Sequence, residues 1–363
     1  CLLSCSYDVV FNLCEGFGND NLGEAYVAGL LEQLHVPFTG SGFFPLSLCM
    51  DKARTKEVLQ YHKLPTPDFS VIRELEDIDA CRVQLPAIIK PLHEDASIGI
   101  SQDSVVDNRS QMEEMALQVF HEYKQPVLIE EYIDGRELNI SLIGNGRDLT
   151  VLPIGEILFD LPADYHRIVC YEAKWVKESV PYNNTPVVCP AELDPSLAEH
   201  VAGISKAAFL ITGCKDYARV DIRVRSTGAG AGEPYIIEVN PNPGKYIDCG
   251  FVRSAMTSGL SYEQLCYKLL EVAMERYGMD IQLLYPPPVA GKVTREGAVH
   301  SAGGTFAQPG DPGRPSNIIT RTKRMAVAKV TESRLPALLT WFNDKDIARY
   351  MDDPDATYTE QEL

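Results

Sequence analysis

The chain has 363 residues, 45% of them hydrophobic, with 24 Pro and 26 Gly, enough to bury real cores in two or three domains and too apolar for disorder throughout. Lys and Arg number 33 against 51 Asp and Glu, a formal charge of −18, which repels nucleic-acid phosphates and anionic membrane surfaces. Ten cysteines without a C-x-x-C pair and seven histidines indicate neither a zinc cluster nor a disulfide framework, and no apolar run approaches the roughly 18 residues that span a bilayer. A soluble cytoplasmic protein with reduced thiols is therefore expected, with no nucleic-acid or membrane partner.

The chain opens on Cys1 rather than Met, and its first basic residue is Lys52, so the start lacks the charge of a secretory signal and reads as the remainder of a longer amino terminus. Tyr7 to Leu13 has the β-branched and aromatic look of a parallel strand whose carboxyl end opens into a loop at Glu15-Gly16. Glu24 to Leu34 repeats its apolar residues at helical spacing, and VPFTGSG after it reads as a second strand and turn. Asp51 to His62 is expected to be a helix carrying Lys52, Arg54 and Lys56, stopped by the prolines of LPTPDF. Strands are expected at Phe69 to Ile72, Leu85 to Pro91 and Val127 to Ile133, with a helix at Ser110 to Tyr123. Asp134-Gly135 reads as a turn into a further strand at Leu138 to Ile143.

Beyond it come strands near Thr150 to Leu158, a loop rich in Tyr, Asn and Pro, and a helix from Pro195 to Ile211. A hairpin follows from Ala218 to Val224 and Tyr235 to Val239, then a helix from Tyr262 to Tyr277. From Tyr285 to Pro315 the periodicity disappears into PPP, GG and PGDPGRP, the composition of a linker. Met325 to Val330 then reads as a strand and Glu332 to Phe342 as a helix.

The chemistry concentrates in the hairpin. Asp221 is followed 17 residues later by Glu238-Val239-Asn240. Two carboxylates and an amide oxygen are hard ligands suited to Mg²⁺ on nucleotide phosphates, and residues 238 and 240 share one face of a strand. An exposed acidic hairpin is the plainer alternative. Arg219, two residues before Asp221, shares its face and can either stabilise developing negative charge or simply pair with a neighbouring carboxylate. Lys90 ends the strand PAIIK, ahead of a loop reaching Ser97-Ile98-Gly99 whose backbone N–H groups can hold phosphate. Glu130 and Glu137 flank a turn in LIEEYIDGRE, which suits an adenine amino group and ribose hydroxyls. Lys52 and Lys174 are further candidates for phosphate contact, each equally readable as a surface lysine when taken singly.

The order DKARTK, IIKP…SIG, IEEYIDGRE, ARVD and IIEVNPNPG resembles the ATP-grasp superfamily, and within it the D-alanine–D-alanine ligase group, over residues 8 to 277. NLCEG, VPFTGSG and NPNPG look more like ligase-related proteins with an N-x-x-E-G loop than the cell-wall ligases themselves. The resemblance implies an α/β fold of the α+β ATP-grasp kind. It would comprise an amino-terminal parallel α/β remnant at 1–48, a small subdomain at 49–135, a second subdomain at 136–280 clamping ATP against the first, and a disordered linker at 281–320. It implies that Lys52, Lys90, Ser97 and Lys174 contact ATP phosphates, that Glu130 with the backbone of Glu131, Tyr132 and Ile133 holds adenine, and that Glu137 holds ribose. Asp221, Glu238 and Asn240 would bind two Mg²⁺ ions, with Mn²⁺ an admissible substitute. Arg219 and backbone near Gly244 would stabilise the oxyanion of a tetrahedral intermediate.

The implied activity is ATP-dependent joining of a small carboxylate to an amine through an acyl phosphate, by a homodimer. Phosphorylation of a hydroxyl and nucleotide binding without catalysis remain open. Departures from the group's pattern bear on the substrate: Glu15-Gly16 stands where the cell-wall ligases carry His-Gly, Ala96-Ser97 where they carry Ser-Ser, and Trp175 where they carry Tyr or Phe. The loops at Glu15, Trp175 and Cys249 would set selectivity. Residues 321–363, with AVAKVTESRLPALLTWFNDKDIARYM, resemble the opening strand and helix of a GNAT-type N-acetyltransferase, without that family's acetyl-CoA loop.

Overall fold

The computed structural model describes residues 8–16, 22–226, 232–279, 318–322 and 325–328. Near the amino terminus Val10 forms a parallel bridge with Phe38, its N–H donating to the Pro37 carbonyl at 2.8 Å and its carbonyl accepting from Thr39 N–H at 3.0 Å. Helix α1 (Gly23–Gln33) packs beneath that bridge, burying Ala25, Ala28 and Leu31 against Val10, Val36, Phe38 and Leu46. The expected parallel strand–helix–strand unit is present, reduced on its strand side to this single bridge among the described residues.

A helix the sequence reading left out comes next, α2 (Phe43–Met50). Its residues FFPLSLCM are almost uniformly apolar, so no helical period stands out, and Pro45 lies in the first turn, where its missing N–H costs nothing. Asp51 then caps α3 (Lys52–Tyr61), accepting from Arg54 N–H at 2.9 Å. That cap sets the start of the helix, and with it the placement of Lys52 and Lys56 one turn apart.

The first sheet contains β1 (Phe69–Ile72), β2 (Ala87–Pro91), β3 (Val105–Val106) and β4 (Val127–Glu131), in the antiparallel order β1-β4-β2-β3. Helix α4 (Arg109–Tyr123), capped by Asn108, lays Met112, Ala116 and Val119 on its Ile72, Ala87, Ile89, Val127 and Ile129. The second sheet contains β5 (Gly135–Ile143), β6 (Thr150–Val151), β7 (Gly155–Ile157), β8 (Val187–Val188), β9 (Tyr217–Arg225) and β10 (Glu233–Asn240). Its order is β10-β9-β5-β7-β8, with β6 on β5. The loop between β7 and β8 carries the short helices α5 (Tyr171–Trp175) and α6 (Val180–Asn183). Helix α7 (Pro195–Thr212) buries Leu197, Val201, Ala208 and Phe209 against Leu138, Ile140, Val220 and Ile222.

The turn expected at Asp134-Gly135 is a crossing between sheets: β4 ends in the first sheet and β5 begins the second, paired with β9 and β7. Gly135 has φ +149°, and a Cβ there would run into the Val224 carbonyl oxygen, so only glycine fits the crossing. Glu130 and Glu137 consequently belong to different sheets on either side of a short passage.

Helices α8 (Gly250–Thr257) and α9 (Tyr262–Arg276) close the described body, burying Phe251, Val252, Leu265 and Leu269 with Val9, Phe11 and Leu13. Asp216 locks this arrangement. It accepts from Gly40 N–H at 2.8 Å, from Asn145 Nδ2 at 2.9 Å, and from Arg276 of α9 at 2.8 Å on each of its oxygens. The strand expected from Met325 is found as β12 (Met325–Ala328), antiparallel to β11 (Ile318–Thr322). The linker at 285–315 and the helix expected at Glu332 to Phe342 lie outside the described residues, as do Tyr7 and the glycine-rich hairpin connection at 227–231.

Candidate functional site

Strand alternation and register build the centre of the site. Asp221 on β9 lies directly across from Glu238 on β10, and Arg219 across from Asn240, so all four share one face. A register shift between Ile236 and Glu238 interrupts the ladder just before that pair, a common device for re-aiming side chains. Arg219 grips Asp221 with a two-pronged fork, Nε to Oδ1 at 2.7 Å and Nη2 to Oδ2 at 2.8 Å. Asn139 on β5 donates to the same Oδ1 at 2.8 Å. The ion pair that the sequence left as an alternative for Arg219 is thus present.

Lys52, at the start of α3, donates to the Glu94 carbonyl and lies 3.5 Å from Glu238 Oε1. Burial pushes the Glu238 carboxyl up, and the nearby Asp95 and Asp221 charges add to the shift against the opposing Lys52 and Arg219. Asp95, which the sequence reading passed over, is half-buried, and Lys52, Lys174 and Arg219 outweigh its desolvation and hold it below the usual carboxylate range. Burial opposes the charge on Arg219, yet Asp221, Glu238 and Asp95 keep it firmly protonated. Lys174, exposed on α5, therefore belongs electrically to this group.

Among the described residues no three His, Cys, Asp or Glu side chains converge as a metal cluster. The donors are two carboxylates and the Asn240 amide, with Asp95 beside them. They fit Mg²⁺, which keeps several waters and takes its remaining ligands from phosphate oxygens.

A second group lies deeper. Glu130 on β4 pairs through Oε1 with Lys90 and through Oε2 with Lys56 at 2.8 Å. Each carboxylate oxygen faces an ammonium group, so in this structure Glu130 tethers Lys90 rather than presenting an open acceptor to a base. Burial lowers the Lys56 pKa, and Lys56 also donates to Thr66 Oγ1 at 2.9 Å. Ser97, with φ +63°, donates its hydroxyl to the Val169 carbonyl at 2.8 Å, while Trp175 Nε1 donates to the Ala96 carbonyl at 3.0 Å. The Ser97 turn and the segment bearing Lys174 are tied together in this way.

The passage between the sheets makes the third group. Glu137 accepts from Arg223 Nη1 at 2.9 Å and Ile133 O from Arg223 Nε at 2.9 Å. Glu131 pairs with Arg225 at 2.8 Å, and the Tyr132 hydroxyl accepts from Arg167 N–H at 3.1 Å.

At the opposite end the Asn240–Gly244 loop is clasped from several sides. Asn240 Oδ1 accepts from Asn242 N–H at 2.9 Å, and Asn242 Nδ2 donates to the Cys14 carbonyl at 2.9 Å and to Glu24 Oε2 at 2.8 Å. The Gly244 carbonyl accepts from the Cys249 thiol. Lys245 Nζ donates to Asn242 Oδ1 at 2.8 Å and sits 4.8 Å above the Tyr217 ring. The Asn242 contact to the Cys14 carbonyl ties this loop to the residue just before Glu15. Glu24, Lys52, Asp95, Glu238 and Asn240 line one cleft.

Burial, reinforced by Asp95 and only partly offset by Asn242 and Lys245, pushes the Glu24 carboxyl up from 4.5 to about 7. A carboxyl raised on folding stabilises the native state fully below its unfolded pKa and loses that contribution as pH rises through the folded value. Wild-type stability is therefore expected to fall by up to about 3 kcal/mol between pH 4.5 and 7 on this account. Glu24→Gln should be free of that loss, a difference read by urea unfolding at both pH values.

The sequence of residues 57–271 matches the family model described as D-ala D-ala ligase C-terminus. This chain belongs to the D-alanine–D-alanine ligase family. It is 36% identical over 270 residues to the uncharacterized protein y4sG of Sinorhizobium fredii, covering 74% of this chain and 75% of the relative. It is 33% identical over 275 residues to the D-alanine–D-alanine ligase of Herminiimonas arsenicoxydans, covering 74% and 76%. Its fold matches the crystal structure of D-alanine–D-alanine ligase from Bacillus anthracis complexed with ATP, with a TM-score of 0.53 and 26% identity over 69% of this chain and 75% of that one.

Of the activities left open by the motifs, the family carries the ligase reading: the chain is an ATP-dependent ATP-grasp ligase that forms a C–N bond. The match ends at residue 271 and does not extend to residues 321–363. Among the described residues no helix is long and apolar enough to cross a membrane.

The sequence reading missed Lys56, Asp95, Arg223, Glu24 and Lys245. Lys56 had a signal in its one-turn spacing from Lys52, and Arg223 in its alternation with 219 and 221 on β9. Asp95, Glu24 and Lys245 acquire their significance only from partners distant in the chain.

Proposed function

We propose that this ligase activates a small amino-acid-like carboxylate with ATP and joins it to an amino-acid-like amine, D-alanine being the first candidate for both. The observation that carries this reading is the shared face of Arg219, Asp221, Glu238 and Asn240 beside Lys52. There, cations for phosphate, hard oxygen ligands and a fixed guanidinium adjoin one another. Residues 49–135 and 136–280 act as the two halves of a clamp on the nucleotide. Lys52, Lys90, Lys174 and Ser97 hold its phosphates, Glu130 keeps Lys90 in position, Glu131, Tyr132 and Ile133 border the base, and Glu137 takes the ribose.

Asp221, Glu238 and Asn240 would hold two Mg²⁺ ions, or Mn²⁺ in their place, which when bound would supply charge neutralisation for the transferring phosphoryl group. A carboxylate oxygen attacks the γ-phosphorus, giving an acyl phosphate and ADP. The amine nitrogen then attacks the acyl carbon and gives up a proton, and phosphate departs as the amide forms. Arg219 and the backbone at Gly244 donate to the oxygen that becomes negative in the intermediate, where a preorganised donor is worth most. Glu15 borders the substrate. The enzyme works as a cytoplasmic homodimer, as the family resemblance implies.

In this sequence of steps the bridging oxygen of the acyl phosphate comes from the substrate. A carboxylate labelled with ¹⁸O is expected to pass label to the released phosphate, read by mass spectrometry. Phosphate without label would mean that water, not the carboxylate, takes the phosphoryl group.

A further inference from the structure

Strand alternation puts Arg223 on the same face of β9 as Arg219 and Asp221, one pleat further along and directly opposite Glu137 on β5. It is only 4% exposed. Two of its three nitrogens are accounted for, Nε by the Ile133 carbonyl and Nη1 by Glu137 Oε2, each at 2.9 Å. The rings of Tyr132 and Phe159 stand 5.7 and 5.3 Å from its central carbon. Nη2 is buried and has no hydrogen-bond partner among the described residues. Folded proteins rarely leave a buried guanidinium N–H without a partner, because an unmade hydrogen bond there costs the full desolvation of the group. Phe159 lies just beyond the end of β7, outside the strand pairing.

We infer that Arg223 and Glu137 together read the vicinal diol of the nucleotide ribose, Nη2 donating to one hydroxyl oxygen while the Glu137 carboxylate accepts from the hydroxyl protons. A hydroxyl both donates and accepts, so a carboxylate locked to a guanidinium presents the complementary pair. The Nη1 contact fixes the carboxylate, and Nη2 next to it supplies the donor that a carboxylate alone lacks. Arg223 is then a ribose-specificity residue. This rests on the nucleotide reading above and adds a residue to it.

The test is calorimetric binding of ATP, 2′-deoxyATP and 3′-deoxyATP, each with Mg²⁺, to the full chain and to Arg223→Met and Arg223→Lys, with thermal melting to confirm folding. The wild type is expected to bind at least one deoxy analogue about tenfold more weakly than ATP, and Arg223→Met to lose about that factor for ATP while discriminating little among the three. Arg223→Lys, which keeps the charge facing Glu137 but not the two-pronged donor, should also lose most of the discrimination. Equal binding of all three nucleotides by the wild type overturns the inference without any variant. So does a uniform loss of affinity in the variants with discrimination retained, the mark of a purely structural brace. Absence of ATP binding by the wild type would instead overturn the nucleotide reading, and this inference with it.

Discussion

Arg219→Ala is expected to lower kcat by about 10²–10³-fold, the loss that follows removal of one oxyanion donor, while ATP affinity stays close to the wild-type value. The split follows from the geometry. Arg219 shares its face with Asp221, Glu238 and Asn240, whereas the lysines assigned to the phosphates reach the site from α3, β2 and α5. Truncating Arg219 leaves those lysines in place, and Asp221 keeps its second anchor in Asn139. Arg219→Lys should recover only part of the rate, because an ammonium keeps the charge without the two-pronged donor. Steady-state kinetics together with direct ATP titration check both variants. Parallel losses in kcat and ATP affinity would place Arg219 among the nucleotide-binding groups instead.

The largest stability effect is expected at Glu130. Glu130→Gln removes the carboxylate charge paired with two buried ammonium groups, those of Lys56 and Lys90, and breaking such a cluster from one side costs about 3–5 kcal/mol. Burial by itself would raise the Glu130 pKa, but the two lysines more than offset it and hold the group at about 2 against an ordinary 4.5. A carboxyl depressed on folding stabilises the native state above its unfolded pKa, and that stability drains away as pH falls toward the folded value. Wild-type stability should therefore decline between pH 4.5 and 2 through this group, a decline absent from Glu130→Gln. Urea unfolding at pH 7 and at pH 3 measures both effects. A loss at pH 7 below about 1 kcal/mol, the ordinary scale of a point substitution, would mean that the lysines discharge or find other partners.

Much of this was legible in the sequence where local pattern and function coincide. The β9–β10 hairpin could be read because alternation puts 219 with 221 and 238 with 240, and those residues carry the chemistry. The helix at Lys52 could be read because Asp51 caps it and prolines end it. Helix α2 was not legible, since a nearly unbroken apolar run has no amphipathic period. The turn at Asp134-Gly135 was legible from the Asp-Gly pair, but its passage from one sheet to the other was not, and only the Val224 carbonyl, about 90 residues on, shows why glycine is needed there. The pairing of Glu130 with Lys56 and Lys90, and that of Arg223 with Ile133, likewise join segments distant in the chain. No local pattern records them.

The most direct test of the central claim is ADP release from Mg-ATP with paired panels of amino acids, other small carboxylates and amines, with products identified by mass. The account predicts that release requires both a carboxylate and an amine, and that the product is lighter than their sum by one water. ADP release with a single partner, accompanied by a phosphate-sized gain in that partner's mass, would contradict it and make the chain a kinase.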